Sequence, residues 1–237
     1  MRMYGWKARI GLMIVASNAI IEPEFNAMVP RDVSVHVTRM MHERSIEGLK
    51  RMAAFTEEAA RLLASAGVNI IAYACTAGSL VEGVGGDQEL SRRIEAATGI
   101  PATTTSTAVI NAFRELRINK VSVACPYTQE VYQAEKAFFE ANGVKVLATK
   151  SLDLFREGLR RSPPEATYDI ACEVNTPEAD AVFISCTALK SITVIEKLEE
   201  RLQKPVFSSN TALMWDILKK LGVREPIKGY GSLLTRL

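Results

Sequence analysis

The stretch Asn69-Ile70-Ile71-Ala72-Tyr73-Ala74-Cys75-Thr76-Ala77 returns 111 residues later in another form, Asp180-Ala181-Val182-Phe183-Ile184-Ser185-Cys186-Thr187-Ala188. Each copy is an apolar run that stops at a cysteine followed by Thr-Ala. The same shift lays Ile10-Gly11-Leu12-Met13 on Val121-Ser122-Val123-Ala124, another apolar pair. Farther on, Pro101-Ala102-Thr103-Thr104-Thr105-Ser106-Thr107-Ala108 resembles Pro205-Val206-Phe207-Ser208-Ser209-Asn210-Thr211-Ala212. The offset is now 104, as if seven residues were lost after the second cysteine. Three matched segments in one order indicate a duplicated unit.

Within each unit, short apolar runs alternate with amphipathic stretches. Strands are expected at 9–15, 33–38, 69–74, 101–105, 120–125, 144–149, 180–185 and 205–208. Helical spacing links Ile46, Leu49, Met52, Ala53, Ala59, Leu63 and Ala66, then Val131, Ala134, Phe138 and Ala141, then Ile192, Ile195, Leu198 and Leu202. Strands apolar on both faces and alternating with helices predict an α/β protein with mainly parallel sheets. No Pro/Gly/Ser linker marks the middle of the chain, so the lobes are expected to exchange chain twice, near Ser106 and Asn210. The first lobe is then 1–105 plus 211–237, and the second is 106–210.

Composition narrows the function. The 237 residues carry 29 basic and 27 acidic side chains, a net charge of +2, which leaves no electrostatic footprint for nucleic acid or an anionic membrane. The apolar run after Arg2, Lys7 and Arg9 reads as a buried strand rather than a signal peptide, since it ends in Ser17-Asn18 without a cleavage pattern. No run is long enough for a membrane span. The four cysteines lack C-x-x-C pairing and are expected as free thiols in a cytoplasmic protein. A homo-oligomer is compatible with this composition.

Ligands of open parallel sheets bind beyond the carboxyl ends of the strands. A thiol placed there meets backbone N–H groups that favour both a thiolate and a bound carboxylate. One such cysteine would be explained as a small buried hydrophobe. Two at equivalent stations point to chemistry, so Cys75 and Cys186 are the candidate catalytic residues. Cys125 and Cys172 are read as structural. Asn18, Tyr127 and Asn210 stand at strand ends, and Thr76 and Thr187 follow the cysteines; these five are the candidate substrate donors. For Asn18 an Asx-turn, and for Asn210 and Thr211 a helix cap, would serve as well. His36 alternates with valines and is read as a sheet position; His42 is the other histidine. No His, Cys and carboxylate cluster has metal spacing, and no phosphate-loop motif occurs.

Val15-Ala16-Ser17-Asn18, Glu22-Pro23-Glu24, the two cysteine motifs, Ala97-Thr98-Gly99-Ile100-Pro101, Pro126-Tyr127 and Gly229-Tyr230-Gly231 together resemble the cofactor-independent aspartate/glutamate racemase superfamily. Within it the maleate cis–trans isomerases and arylmalonate decarboxylases are most similar. The resemblance implies two pseudo-symmetric Rossmann-like lobes, a cleft between them, one cysteine from each lobe, and no cofactor. It assigns Asn18 and Tyr127 to a substrate carboxylate. The isomerase group has an Asn where Leu154-Phe155-Arg156-Glu157 stands, and the decarboxylases have Gly in place of Cys75. The implied activity is an isomerase or racemase of a small carboxylate. The alternatives are an arylmalonate-type decarboxylase with Cys186 as proton donor, and a carboxylate-binding protein without catalysis. Cys75 is expected to be the first thiolate, with a lowered pKa, because a glycine-containing mobile stretch follows it. Cys186 is expected to run into a helix near Lys190.

Overall fold

The protein is described by a computed structural model over residues 6–41 and 45–237; Arg2 and His42 lie outside the described residues. All eight expected apolar runs form strands. β1 (Ala8–Val15), β2 (Val33–Met40), β3 (Ile70–Ala74) and β4 (Ala102–Thr104) make one parallel sheet in the order β2-β1-β3-β4. β5 (Lys120–Cys125), β6 (Lys145–Ser151), β7 (Ala181–Ile184) and β8 (Val206–Ser208) repeat that order as β6-β5-β7-β8. The helices are α1 (Ile21–Met28), α2 (Ile46–Met52), α3 (Thr56–Ser65), α4 (Thr76–Leu80), α5 (Gly86–Thr98), α6 (Thr105–Leu116), α7 (Gln129–Ala141), α8 (Glu157–Arg161), α9 (Pro164–Val174), α10 (Ile195–Leu202) and α11 (Ser209–Lys220).

The pairings of the central strands carry the sequence repeat. Ile10 stands opposite Ile70, and 111 residues on, Val121 stands opposite Ala181. Ile71 faces Ala102, whereas Val182 faces Val206, so the fourth strand of the second sheet has the offset of 104. The shortening therefore lies between Cys186 and β8. There the first half has α4 and α5, while the second has turns and α10.

Alternation along the strands divides the core. Ile10, Leu12 and Ile14 with Val121, Val123 and Cys125 join one cluster shared by both sheets and by α1, α6, α7 and α11. Met13 and Ala124 point the other way, into separate clusters on the far face of each sheet. In the shared core Phe113 meets Phe139, Phe183 and Phe207 edge-on, with centroids 5.2, 5.9 and 5.5 Å apart. Burying each such ring contributes about 2–3 kcal/mol.

α6 and α11 begin where β4 and β8 end. Thr104 Oγ1 accepts the Thr107 N–H at 3.1 Å, and Ser208 Oγ accepts that of Thr211 at 3.3 Å, so matching residues cap matching helices. The two helices pack along each other, and α11 also touches α1 and β3 of the first sheet. The single helix expected from Ile46 to Ala66 is broken instead. A 3₁₀ turn at Ala53–Phe55 separates α2 from α3, and the Ala53 carbonyl accepts from Arg93 at 2.7 Å. Among the described residues no helix is long and apolar enough to cross a membrane.

Candidate active site

Cys75 and Cys186 line one cavity of about 100 Å³ at the carboxyl ends of β3 and β7. That volume is below the usual drug-sized pocket and suits a small substrate. Each sulfur accepts an amide N–H from its own turn: Cys75 from Gly78 at 3.3 Å, Cys186 from Ala188 at 3.4 Å. Glycine at 78 leaves room beside this sulfur. A Cβ there would lie 2.7 Å from Met52 Cε and 3.2 Å from Cys75 Sγ.

The turns otherwise differ from expectation. Cys75 is the N-cap of α4, a buried helical turn held to α6 by the 2.7 Å contact of Ser79 and Ser106 hydroxyls. The glycine turns at Gly83 and Gly85 come only beyond it. Cys186 leads into turns, and no helix forms until Ile195. Its own φ is +115°, a conformation that L-residues rarely adopt and that concentrates at functional sites.

Of the expected donors, Asn18, Thr76, Tyr127 and Thr187 line the cavity. Asn18 does two jobs. Its Oδ1 accepts the N–H groups of Ile20 and Ile21, the Asx-turn foreseen as its structural use, while Nδ2 donates to Thr187 Oγ1 at 3.0 Å. That bond joins the end of β1 to the turn after β7. Thr76 Oγ1 donates to Ser209 Oγ at 2.8 Å, and the same oxygen accepts the Cys186 N–H at 3.0 Å, so one hydroxyl ties the two cysteine turns together. Asn210 does not line the cavity. It is fully buried behind Thr187, donating to the Thr187 carbonyl at 3.2 Å and to Glu24 at 2.7 Å, and the helix cap is Ser208 instead. Cys125 is buried in the shared core, Cys172 packs on the second sheet's far cluster, and His36 bonds Ser34 at 2.9 Å within β2.

The outer wall was not foreseen. Leu49, Val131, Leu154, Phe155 and Leu159 make it apolar, and Arg156 is its one charged side chain among the described residues. The Arg156 guanidinium carbon stands 5.0 Å from the Phe155 ring centroid. The signal available was the segment 154–157 itself, which breaks the isomerase pattern.

Burial raises both thiols, against the lowered pKa expected for Cys75. Burial pushes Cys75 up to about 12, and the Gly78 amide offsets only part of that. Burial also pushes Cys186 up, to about 11, against the Ala188 amide, the Tyr127 hydroxyl and the Leu189 amide. Cys186 is also the more exposed of the two. Its surroundings contain further acids. Tyr127 is lifted well above the usual phenol range by burial, and Glu135, buried on α7, is pushed up to about 8. No set of three or more His, Cys, Asp or Glu among the described residues could hold a metal ion.

The arylmalonate decarboxylase family model matches residues 10–234. The chain belongs to that family. This member is 30% identical to the maleate isomerase of Nocardia farcinica (strain IFM 10152), over 96% of either chain. It is 28% identical to the maleate isomerase of Geobacillus stearothermophilus, over 96% of this chain and 97% of that one. In three dimensions it matches a cysteine-to-serine mutant of the Nocardia farcinica maleate cis-trans isomerase, which carries a covalently bound succinylcysteine intermediate. The TM-score is 0.92 at 26% identity, covering 97% of this chain and 99% of that one. Whole-length kinship of this kind, with two thiols on one cavity, makes this family member a cysteine-dependent isomerase.

Proposed function

We propose that the chain interconverts the cis and trans forms of a small unsaturated dicarboxylate of the maleate type. The observation that carries this reading is the pair of thiols from equivalent turns on a single small cavity. Cys75 is the nucleophile. Its sulfur forms a bond to one alkene carbon, and the π electrons move into the adjacent carboxylate as an enediolate. The former double bond, now single, rotates. Return of the electrons reforms the alkene in the trans geometry and expels the sulfur. Cys186 stands opposite as the group that gives a proton to the carbanionic carbon and takes it back, which holds the intermediate as a succinyl thioether.

Both thiols rest protonated at neutral pH, because burial raises them. The reacting thiolate therefore forms inside the site, its proton passing to the neighbouring substrate carboxylate and returning when the sulfur leaves, and N–H and hydroxyl donors there replace water. Asn18, Tyr127 and Thr187 serve as those donors, while the Thr76 hydroxyl is committed to Ser209. Arg156 is the cation for the distal carboxylate.

The apolar wall of Leu154, Phe155 and Leu159 favours a second reading, loss of CO₂ from an arylmalonate with Cys186 delivering the proton. Proton NMR in D₂O with maleate, 2-methylmaleate and phenylmalonate separates the two. The proposal expects trans-alkene signals from one of the maleates and none of the decarboxylated acid. Decarboxylation of phenylmalonate with both maleates unchanged would overturn it.

A further inference from the structure

Glu24 on α1 and Glu135 on α7 occupy the same station of the repeat, 111 residues apart. Both are buried carboxyls. Glu24 is fully engaged: Oε1 accepts the N–H groups of Ser191 at 2.6 Å and Ile192 at 3.2 Å, and Oε2 accepts from Asn210 at 2.7 Å and from Ser191 Oγ at 3.2 Å. Glu135 has one partner. Its Oε1 is bonded to the Ser185 hydroxyl, and its Oε2 is buried without any partner among the described residues. A half-satisfied buried carboxyl is costly and calls for a functional reason.

The contacts beyond it lead to the active site. Ser185 Oγ lies 3.4 Å from the hydroxyl of Tyr127, which lines the same cavity as Cys186. We propose that Glu135 is a positioning residue for Cys186, setting through Ser185 the direction in which the Tyr127 hydroxyl donates. Each hydroxyl has one proton, so the chain has two consistent orientations. With Glu135 neutral, it donates to Ser185, Ser185 to Tyr127, and Tyr127 to the Cys186 sulfur. With Glu135 ionised, Ser185 donates to the carboxylate, Tyr127 turns its proton to Ser185, and the sulfur loses that donor. No proton crosses the chain in either case. The inference rests on the reading that Cys186 handles the proton.

The surroundings keep this acid neutral until mildly alkaline pH. Burial raises it, and the Ser185 bond opposes only in part. The groups facing it are Cys125 at the end of β5, Tyr127 beyond it and Cys186 beyond β7, all acids that gain negative charge on ionising. α7 also packs on α4, which carries no titratable side chain, and on β6, where Lys145 is exposed and Lys150 pairs with Glu173. On α7 itself Lys136 pairs with Glu140 at the surface.

The test reads Cys186 directly and needs no substrate. Alkylation by iodoacetamide is followed by mass spectrometry of the Cys186 peptide between about pH 6 and 10. A thiol titrating alone gives a log rate rising with unit slope below its pKa. In the wild-type chain the line bends downward near the Glu135 ionisation. In Glu135→Gln, a neutral isostere, it runs straight, and above the bend the variant labels about three- to tenfold faster, up to one unit of thiol pKa. A bend that persists in Glu135→Gln, or none in the wild type, overturns the proposal. A residue that only fills space would leave the bend in place. Should the variant fail to fold, infrared spectra of the wild-type chain decide. A buried neutral carboxyl band at about pH 6.5 that is lost by about pH 9.5 supports the proposal, and its absence at the lower pH overturns it. Failure of every maleate to turn over would sink the functional reading and leave this labelling result standing, so the two failures are distinguishable.

Discussion

The two halves of the chain bring a cysteine to the same place and surround it differently. In the first, Cys75 caps a buried helical turn and receives one amide, from Gly78. The nearest phenol, Tyr73, makes no hydrogen bond among the described residues. In the second, Cys186 sits in a strained turn with the Ala188 amide on its sulfur, and it shares the cavity with a phenol, Tyr127, that lies 3.4 Å from a hydroxyl bonded to a buried acid. The repeat supplies geometry, a sulfur beyond a central strand of each sheet on the lining of one cavity. The residues that broke the repeat supply the roles. A thiol with amides alone is equipped to attack and leave, whereas a thiol backed by hydroxyls and a carboxyl is equipped to manage a proton.

The sharpest challenge to this division is removal of either sulfur. Cys75→Ser and Cys186→Ser are each expected to lower kcat/KM by about a thousandfold or more, as loss of a nucleophile or of its acid partner does. Turnover that survives in one of them would mean that only one half is catalytic. Next in size is Tyr127→Phe, expected to lower kcat/KM about a hundredfold through loss of a donor to developing charge, roughly 2–4 kcal/mol. An equal effect of Tyr73→Phe would erase the difference between the halves.

The smallest effects separate the two buried acids. Glu24→Gln sets an amide NH₂ among four donors and is expected to cost about 1–3 kcal/mol in urea unfolding at any pH. Glu135→Gln behaves otherwise, because it removes a titration. Glu135 is raised from 4.5 to about 8 in the fold, so between those values the folded chain holds one proton more than the unfolded chain. Wild-type stability therefore falls as pH rises through that window and levels off above it. The stability of Glu135→Gln relative to wild type should grow over the same window. A constant difference would mean that Glu135 is ionised throughout.

Much of this was legible in the sequence. Buried parallel strands are continuous apolar runs, so all eight were found, and both offsets of the repeat reappear as sheet register. The paired cysteines and the candidates Asn18, Thr76, Tyr127 and Thr187, chosen from strand ends and the cysteine motifs, came to line one cavity. Asn210 did not, because a helix-opening residue can face either the cavity or the core, and packing against Glu24 decides for the core. The glycines after Cys75 suggested mobility, but Gly78 lies in a buried helical turn beside the Cys75 sulfur. Helix-terminus reasoning predicted a lowered Cys75 pKa, and burial outweighs the single amide. Leu154, Phe155 and Arg156 were legible only as a departure from the isomerase pattern, because an irregular loop has no periodicity to read, and the Arg156 φ of +41° and its contact with the Phe155 ring leave no sequence signature.

The central claim is that Cys75 attacks and Cys186 handles the proton. Intact-mass and peptide mapping of Cys186→Ser and Cys75→Ser after incubation with maleate tests it directly. The account predicts an adduct of one substrate on Cys75 in the Cys186→Ser chain, and none on Cys186 in the Cys75→Ser chain. An adduct on Cys186 with Cys75 absent, and none in the reverse case, would contradict it.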